Sequence, residues 1–414
     1  MEEIRMAQSD SPSQFRGSGN PVGDGTNLQG IVLKMPANGR GVRLVARGVN
    51  WLGDAVMTTP ALLRLRELLP EARITLCAPD KLAGLWLNHP AIDSVLPIAH
   101  REGLWRVAGR LRAGRFTHAL ILPNSPRSAL ESWMGGIPCR IGYGRFWRNA
   151  FLTHKVSDRQ GIVRMEKKSP AQIKRCCDEP TRQVPVRKIP PEAHHIYHYL
   201  HLVGAMGANP APLPPRLYVT DQERGALCKR FQLDPALLWC GLNPGAEYGP
   251  AKRWPIERFA AAAIEVQKRT GCGWLIFGGK ADVESGRALA EKIRRQAGSN
   301  AVGPVVCLAG ETNLRELCAG LALSRVLLTN DTGPMHLAAA VGTPVVAIFG
   351  STSPELTGPG LPGTGRHVLL RANAPCSPCY LRECPIDFRC MTGISAEVAV
   401  HAVLATLSET NNVG

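Results

Sequence analysis

Val326-Leu327-Leu328-Thr329-Asn330-Asp331-Thr332-Gly333-Pro334-Met335-His336-Leu337-Ala338-Ala339-Ala340, followed shortly by Val345-Val346-Ala347-Ile348-Phe349, holds the grammar of the whole chain. A short β-branched apolar run ends in a polar turn and a Gly-Pro pair. A helix of small residues opens there, with proline near its start, and a second apolar run follows. Both apolar runs are uninterrupted rather than alternating, which is the pattern of strands covered on two faces in a parallel sheet.

Working outward, the same unit recurs through the second half. Residues 238–242, 273–277 and 305–308 read as further strands, and residues 256–269, 282–295 and 313–322 as the helices between them. The first half repeats it from Gly41. Residues 42–46, 74–78, 94–98 and 119–123 read as strands, with a helix over 54–69 closed by Pro70. The rhythm breaks over 140–191, where ten basic residues fall between Lys155 and Lys188. An amphipathic segment at 195–207 then leads into the proline cluster at 210–215, read as the linker. The fold class predicted is α/β, with two Rossmann-like domains facing across a cleft at the carboxyl ends of their strands, where ligands bind in such sheets. The expected boundaries are a disordered leader at 1–40 (or an over-long gene start, with Met35 a candidate true beginning), domains at 41–212 and 213–395, and a C-terminal helix from 396 packing back toward the first domain.

The 414 residues suffice for two cores of ordinary size, and 44% hydrophobic with 20% charged residues excludes a disordered chain. No run is long and apolar enough to span a bilayer, and the N-terminus does not read as a secretory signal; the expected location is cytoplasmic. A net charge of +16 calls for an acidic partner: nucleic acid, anionic membrane or a phosphorylated substrate. Thirteen cysteines in such a chain read as reduced thiols or metal ligands before disulfides.

Three motifs sit at strand ends. After the first strand comes Arg47-Gly48-Val49-Asn50-Trp51-Leu52-Gly53-Asp54, whose aspartate is either a helix N-cap, a general base, or both. The second is Asn243-Pro244-Gly245-Ala246-Glu247-Tyr248-Gly249-Pro250-Ala251-Lys252-Arg253-Trp254-Pro255, a loop with a lysine and an arginine before a helix start, suited to a phosphate or simply a solvated basic loop. In the third, the amides of Thr332 and Gly333 can cradle a diphosphate. Asp331 reads as a cap or loop former, and His336 as a phosphate or sugar ligand or else a core histidine. Residues 273–281 only approximate a P-loop, because Gly279 stands where lysine belongs. No Asp-x-Asp pair is present to hold a metal on a sugar diphosphate.

Residues 50–59, 244–255, 330–336 and Phe349-Gly350-Ser351-Thr352 together resemble the bacterial lipopolysaccharide heptosyltransferases of type II, in glycosyltransferase family 9. The resemblance runs from about residue 42 to the C-terminal helix. It implies the glycosyltransferase B fold, ADP-heptose as donor, a Kdo- and heptose-bearing lipid A acceptor, and inversion without a metal or other catalytic cofactor. The expected form is a monomer, with basic residues of the front half able to hold it peripherally at the cytoplasmic face of the inner membrane. By residue, it implies Asp54 as general base and Lys252 on the donor phosphates. The donor site would comprise Asn243, Gly245, Ala246, Tyr248, Asp331, Thr332, Gly333 and His336, with Glu284 as the ribose carboxylate; a surface glutamate is the alternative for Glu284.

Arg101, Arg106, Arg110, Arg140 and Arg145 are candidates for the acceptor's phosphates and carboxylates, or members of a solvated basic face. Cys376-x2-Cys379-x4-Cys384-x5-Cys390 could hold a structural zinc or iron–sulfur centre, or stand as reduced thiols or a local disulfide. Rival readings are a type I heptosyltransferase or another nucleotide-sugar enzyme of the same fold, and a basic nucleic-acid-binding protein with a metal loop. The 6% aromatic content and the placement of the phosphate loops at strand ends speak against nucleic acid.

Overall fold

The computed structural model describes residues 33, 35–178, 189–297 and 303–411. Among these residues, twelve strands form two six-stranded, wholly parallel sheets. The front sheet holds β1 (Arg43–Arg47), β2 (Arg73–Pro79), β3 (Ser94–Ile98), β4 (His118–Ile121), β5 (Cys139–Tyr143) and β6 (His154–Val156), in the order β3-β2-β1-β4-β5-β6. The back sheet holds β7 (Trp239–Asn243), β8 (Gly273–Ile276), β9 (Val305–Cys307), β10 (Leu327–Asn330), β11 (Val345–Phe349) and β12 (Val368–Arg371), in the order β12-β11-β10-β7-β8-β9. Renumbered within its own half, the back sheet repeats the front order. Each half is the doubly wound arrangement, whose strand order reverses between its first and fourth strands.

The central strands are buried end to end, as their unbroken apolar runs predict, with β7, β8, β10 and β11 fully inside. β5, β6 and β12 were not legible as strands. β6 and β12 lie at sheet edges and β5 begins half-exposed, so none needs an apolar side chain at every position. The expected break over 140–191 therefore holds two strands and a helix, Pro170–Asp178; residues 179–188 of that basic segment lie outside the described residues.

The helix expected over 54–69 is two helices, Leu52–Met57 and Thr59–Leu68. Pro60 lacks the N–H that would continue the ladder to Val56, and the Thr59 hydroxyl donates to that carbonyl instead at 2.8 Å. Within the leader expected through residue 40, Leu33 and Met35 pack on the core; residues 1–32 and 34 lie outside the described residues. A further correction concerns the C-terminal helix Ala396–Asn411. Expected to pack toward the front domain, it packs instead on the helix Ile256–Thr270 and on β11 and β12, burying Ala399, Val403 and Leu407 in the back core. The helix His195–Gly204 lies instead against Thr59–Leu68 in the front half. The chain then crosses to the back half, bonding Arg216 N to Thr59 Oγ1 and Leu217 N to Ala340 O.

Under the front cleft, Glu131 is fully buried and receives Arg47 Nε at 3.0 Å and Arg127 Nε at 2.8 Å. This ion cluster fixes the end of β1 against the helix Pro126–Met134. Among the described residues, no helix is long and apolar enough to cross a membrane.

Candidate active site

The three motifs meet at the switch points of the two sheets. Asp54 follows β1, the Pro244–Lys252 loop follows β7, and Asp331-Thr332-Gly333 follow β10. The helices Leu52–Met57 and Gly333–Val341 pack start against start. Each offers the other a glycine. A Cβ on Gly53 would stand 2.7 Å from His336 Cδ2, and one on Gly333 would stand 2.8 Å from Leu52 Cδ2. Only glycine permits this approach.

Asp54 occupies the third position of its helix. Trp51 stands at the cap position and makes no side-chain cap bond, so the N-cap reading of Asp54 is not what the fold uses. Its carboxylate keeps 30% of its exposure, with Oδ1 3.8 Å from His195 Nδ1. Burial raises its pKa, while His195 and then Lys252 pull it back. Asp54 and Lys252, from opposite halves, are therefore within electrostatic reach of each other. His195 Nδ1 is buried without a hydrogen-bond partner, and its ring stacks on Tyr199 at 5.1 Å between centroids. Burial lowers its pKa, with Asp54 opposing.

Across the cleft, Lys252 Nζ donates to Asp331 Oδ2 at 2.6 Å, and the Thr352 hydroxyl donates to the same oxygen. Asp331 thus anchors the lysine rather than capping a helix. The cap position belongs to Thr332, which makes no side-chain cap bond and leaves the first-turn amides of Gly333–Val341 without a side-chain acceptor there. Lys252 also lies 4.9 Å above the Tyr248 ring, whose other neighbour is Arg382 at 5.2 Å; the Tyr248 hydroxyl donates to Tyr380 O at 2.7 Å. Asn330, fully buried, ties the loops together by donating to Pro244 O at 2.7 Å and accepting from Trp254 N at 3.0 Å. Asn243 Nδ2 donates to Thr329 Oγ1 at 3.2 Å, and Ala246 is buried beneath the loop. Gly249 has φ of 151°, and a Cβ there would fall 2.5 Å from Arg382 O. His336 is 5% exposed, and burial lowers its pKa to about 4, so its imidazole is neutral.

Other expected residues fall elsewhere. Glu284 is exposed on the first turn of Val283–Ala297. The carboxylate beside the Pro244-Gly245 turn is that of Asp282, 2.6 Å from where a Gly245 Cβ would stand. Arg101 and Arg106 are exposed just past β3, and Arg110 is bound to Glu102 at 3.2 Å. Arg145 pairs with Asp158 at 2.6 Å at the cleft end of β5. Arg140 lies at the opposite end of that strand with its guanidinium on the carbonyls of Phe151 and Ile137; it is a structural residue, which corrects the acceptor reading for it.

Cys376, Cys379 and Cys390 are buried, Cys384 is half-buried and accepts from Phe388 N at 3.3 Å, and all four are free thiols. Burial, and after it the neighbouring thiol of Cys177, push Cys376 up to about 12. Among the described residues, no three His, Cys, Asp or Glu side chains are set to hold a metal ion.

His195 and Asp282 were not legible as site residues, and Thr352 was quoted in a motif without a role of its own. His195 and Asp282 are placed by tertiary packing, and Thr352 by the adjacency of β10 and β11.

This geometry has known counterparts. The model for "Glycosyltransferase family 9 (heptosyltransferase)" matches residues 180–388. Lipopolysaccharide heptosyltransferase 2 of Escherichia coli is 30% identical over 335 residues, which is 77% of this chain and 85% of that protein; the Salmonella typhimurium protein of the same name is 30% identical over 330 residues, with the same coverage. The solved structure of E. coli ADP-heptose LPS heptosyltransferase II superposes with a TM-score of 0.68 at 26% identity, covering 89% of this chain and all of that one. With a family match over half the chain, relatives at this identity, and the two-sheet architecture in common, the chain belongs to glycosyltransferase family 9, the heptosyltransferases.

Proposed function

We propose that the protein transfers heptose from ADP-L-glycero-D-manno-heptose to a heptosyl-Kdo2-lipid A acceptor, with inversion and without a metal. The observation that carries this reading is that the helix bearing Asp54 packs start against start on Gly333–Val341, beside the loop where Lys252 is held by Asp331, with Lys252 lowering the Asp54 pKa. Asp54 takes the proton of an acceptor hydroxyl as that oxygen attacks the anomeric carbon. The bond from that carbon to the β-phosphate oxygen breaks, and ADP leaves with the electron pair. Lys252 and the amides at the start of Gly333–Val341 stabilise the leaving diphosphate, supplying the cationic environment a metal would otherwise give. A carboxylate with a raised pKa is a better base than an exposed one, which suits Asp54 to this step. A lipid acceptor puts the reaction at a bilayer face, with the protein a peripheral monomer on the cytoplasmic side.

The test is mass spectrometry of defined heptosyl-Kdo2-lipid A after incubation with ADP-heptose, with Asp54→Ala alongside. The expected result is one added heptose, a turnover slowed about 10²- to 10⁴-fold in the variant, and ADP affinity nearly intact. Modification of Kdo2-lipid A lacking heptose would establish a type I acceptor instead. Conversion of the donor alone would establish a nucleotide-sugar enzyme without an acceptor. Full turnover by the variant would remove Asp54 from the role.

A further inference from the structure

A strap from the front half lies on the cysteine loop of the back half. Ser157 O accepts from His201 Nε2 at 3.2 Å and Asp158 from Arg145 at 2.6 Å, so the chain leaves β6 still fixed to the front domain. By Lys168 it is fixed to the back one. Lys168 donates its backbone N–H to Cys379 O and its ammonium to Cys376 O, both at 3.0 Å. The helix Pro170–Asp178 then buries Ile173 against Cys376 and Cys379, with Cys176 and Cys177 packed on the same cluster.

Within this cluster the Cys177 and Cys376 side chains are hydrogen-bonded to each other, one from each half. Cys177 is half-buried, whereas Cys376 is 5% exposed. Arg389 lies within electrostatic reach of both sulfurs, a cation placed to meet the charge that thiol–disulfide exchange develops. The loop they share is part of the donor-side wall. Ser377 Oγ donates to Gly350 O at 2.7 Å, and the amides of Cys379 and Tyr380 donate to Ser351 O at 3.1 and 2.7 Å, next to Thr352. Tyr380 O accepts from Tyr248, and Arg382 lies over the same ring on which Lys252 rests.

We infer that Cys177 and Cys376 are a disulfide-forming pair that fastens the front domain to the donor-side wall when the thiols meet a small disulfide such as oxidised glutathione. Cys177, the less buried sulfur, attacks that disulfide and expels one glutathione. Cys376 Sγ then attacks the Cys177 sulfur of the mixed disulfide and expels the second. Two cysteine thiols are oxidised to one disulfide, one glutathione disulfide is reduced to two thiols, and the two cysteine protons pass to the departing sulfurs. Capping Cys177 also removes the thiol that, after burial, most holds Cys376 protonated, so the first step prepares the second. A bridge here ties together two halves whose cleft has to open for products to leave, and so slows turnover without touching a reacting group. That consequence rests on the function proposed above; the bond itself does not.

The test equilibrates the full chain in glutathione buffers from reduced to oxidised, then alkylates, digests and maps it by mass spectrometry. Oxidised wild type should yield a peptide pair joining Cys177 to Cys376. The pair should persist in Cys176→Ser and Cys379→Ala and vanish in Cys177→Ser and Cys376→Ala. Should the buried Cys376→Ala fail to fold, Cys177→Ser, at a half-buried position, decides alone. On a soluble, deacylated acceptor the kcat of oxidised wild type should fall about tenfold and recover in dithiothreitol. Cys177→Ser should keep the reduced wild-type kcat in both buffers. No link between Cys177 and Cys376, or a link confined to residues 376–390, overturns the pair. So does a stoichiometric zinc or iron held by these thiols in the reduced protein. A link that forms and leaves kcat unchanged overturns its hold on the cleft. Absence of any transfer by reduced wild type counts against the proposed function alone, because the link is read by mass.

Discussion

Replacing Gly53 by alanine tests whether the two halves meet during turnover as they do in the structure. The added methyl would stand 2.7 Å from His336 Cδ2 and 3.0 Å from Nε2. Carbon–carbon contacts settle near 3.5–4.0 Å, so roughly 0.8 Å or more has to be found. His336 is buried in its own helix and has little room to retreat. Overpacking of this size costs about 1–3 kcal/mol. Because the clashing atoms belong to different halves, the cheapest relief is to slide the start of Leu52–Met57 away from Gly333–Val341, leaving both cores intact. The penalty then falls on the closed cleft and not on folding. At roughly 1.4 kcal/mol per factor of ten, kcat/KM should fall about 5- to 150-fold, in line with the effect of a misplacement near 1 Å at a reacting centre. Steady-state kinetics on both substrates, paired with thermal melts, check this. Wild-type kinetics would refute the contact. A melting temperature lowered by more than about 4 °C would show the strain taken up by the fold instead.

Lys252→Met removes a charge-assisted bond and should lower kcat/KM for the donor about 10- to 150-fold, read by varying ADP-heptose at fixed acceptor; an unchanged value would exclude Lys252 from diphosphate binding. Glu131→Ala strands the Arg47 guanidinium, whose side chain is 10% exposed, and should cost about 3–5 kcal/mol in urea unfolding, with a loss under about 1 kcal/mol counting against the buried cluster. His195→Phe keeps the ring stack on Tyr199 but removes the imidazole that lowers the Asp54 pKa, so the acid limb of kcat/KM should move to higher pH; a limb that stays put would show the two side chains uncoupled. Stability should also fall in acid. Burial lowers His336 and His89 to about 4 and His194 and His198 to about 3, so below pH about 6.5 the unfolded chain takes up protons that the native protein refuses. The loss begins near pH 6.5, grows toward pH 4, and for a histidine such as His336 reaches roughly 3 kcal/mol at the acid end. Glu223, held down to about 2 chiefly by Arg315, adds its own loss only as pH falls below about 4.5. A melting temperature constant from pH 7 to 4 would contradict the neutral histidines.

Most of the scaffold is legible because a parallel sheet covered on both faces leaves unbroken apolar runs, as at Val345–Phe349. The loops that follow such runs are legible for the same reason, which is how Asp54, Lys252 and Asp331 stand out. Edge strands escape detection because half their surface needs no apolar side chain, as in His154–Val156. Roles set by partners escape as well. Asp331 looks like a cap in sequence, yet it holds Lys252 and Thr352, two residues 79 and 21 positions away. Glu284 looks like the carboxylate of its loop, yet the one turned toward Gly245 is two residues earlier. The C-terminal helix is apolar on the face it buries whichever half receives it, so its sequence does not name its neighbour.

The matching strand orders of the two sheets make corresponding loops comparable across the halves. The loop after β1 leads to the acid Asp54, and its counterpart after β7 leads to the cation Lys252, so corresponding loops carry opposite charge. The loop after β10 presents helix amides, while its counterpart after β4 opens with Ser125, whose hydroxyl accepts from Ser128 N and so closes off an amide that its twin leaves available. One framework used twice thus ends in two unlike jaws, an acidic one in front and a cationic, amide-bearing one behind.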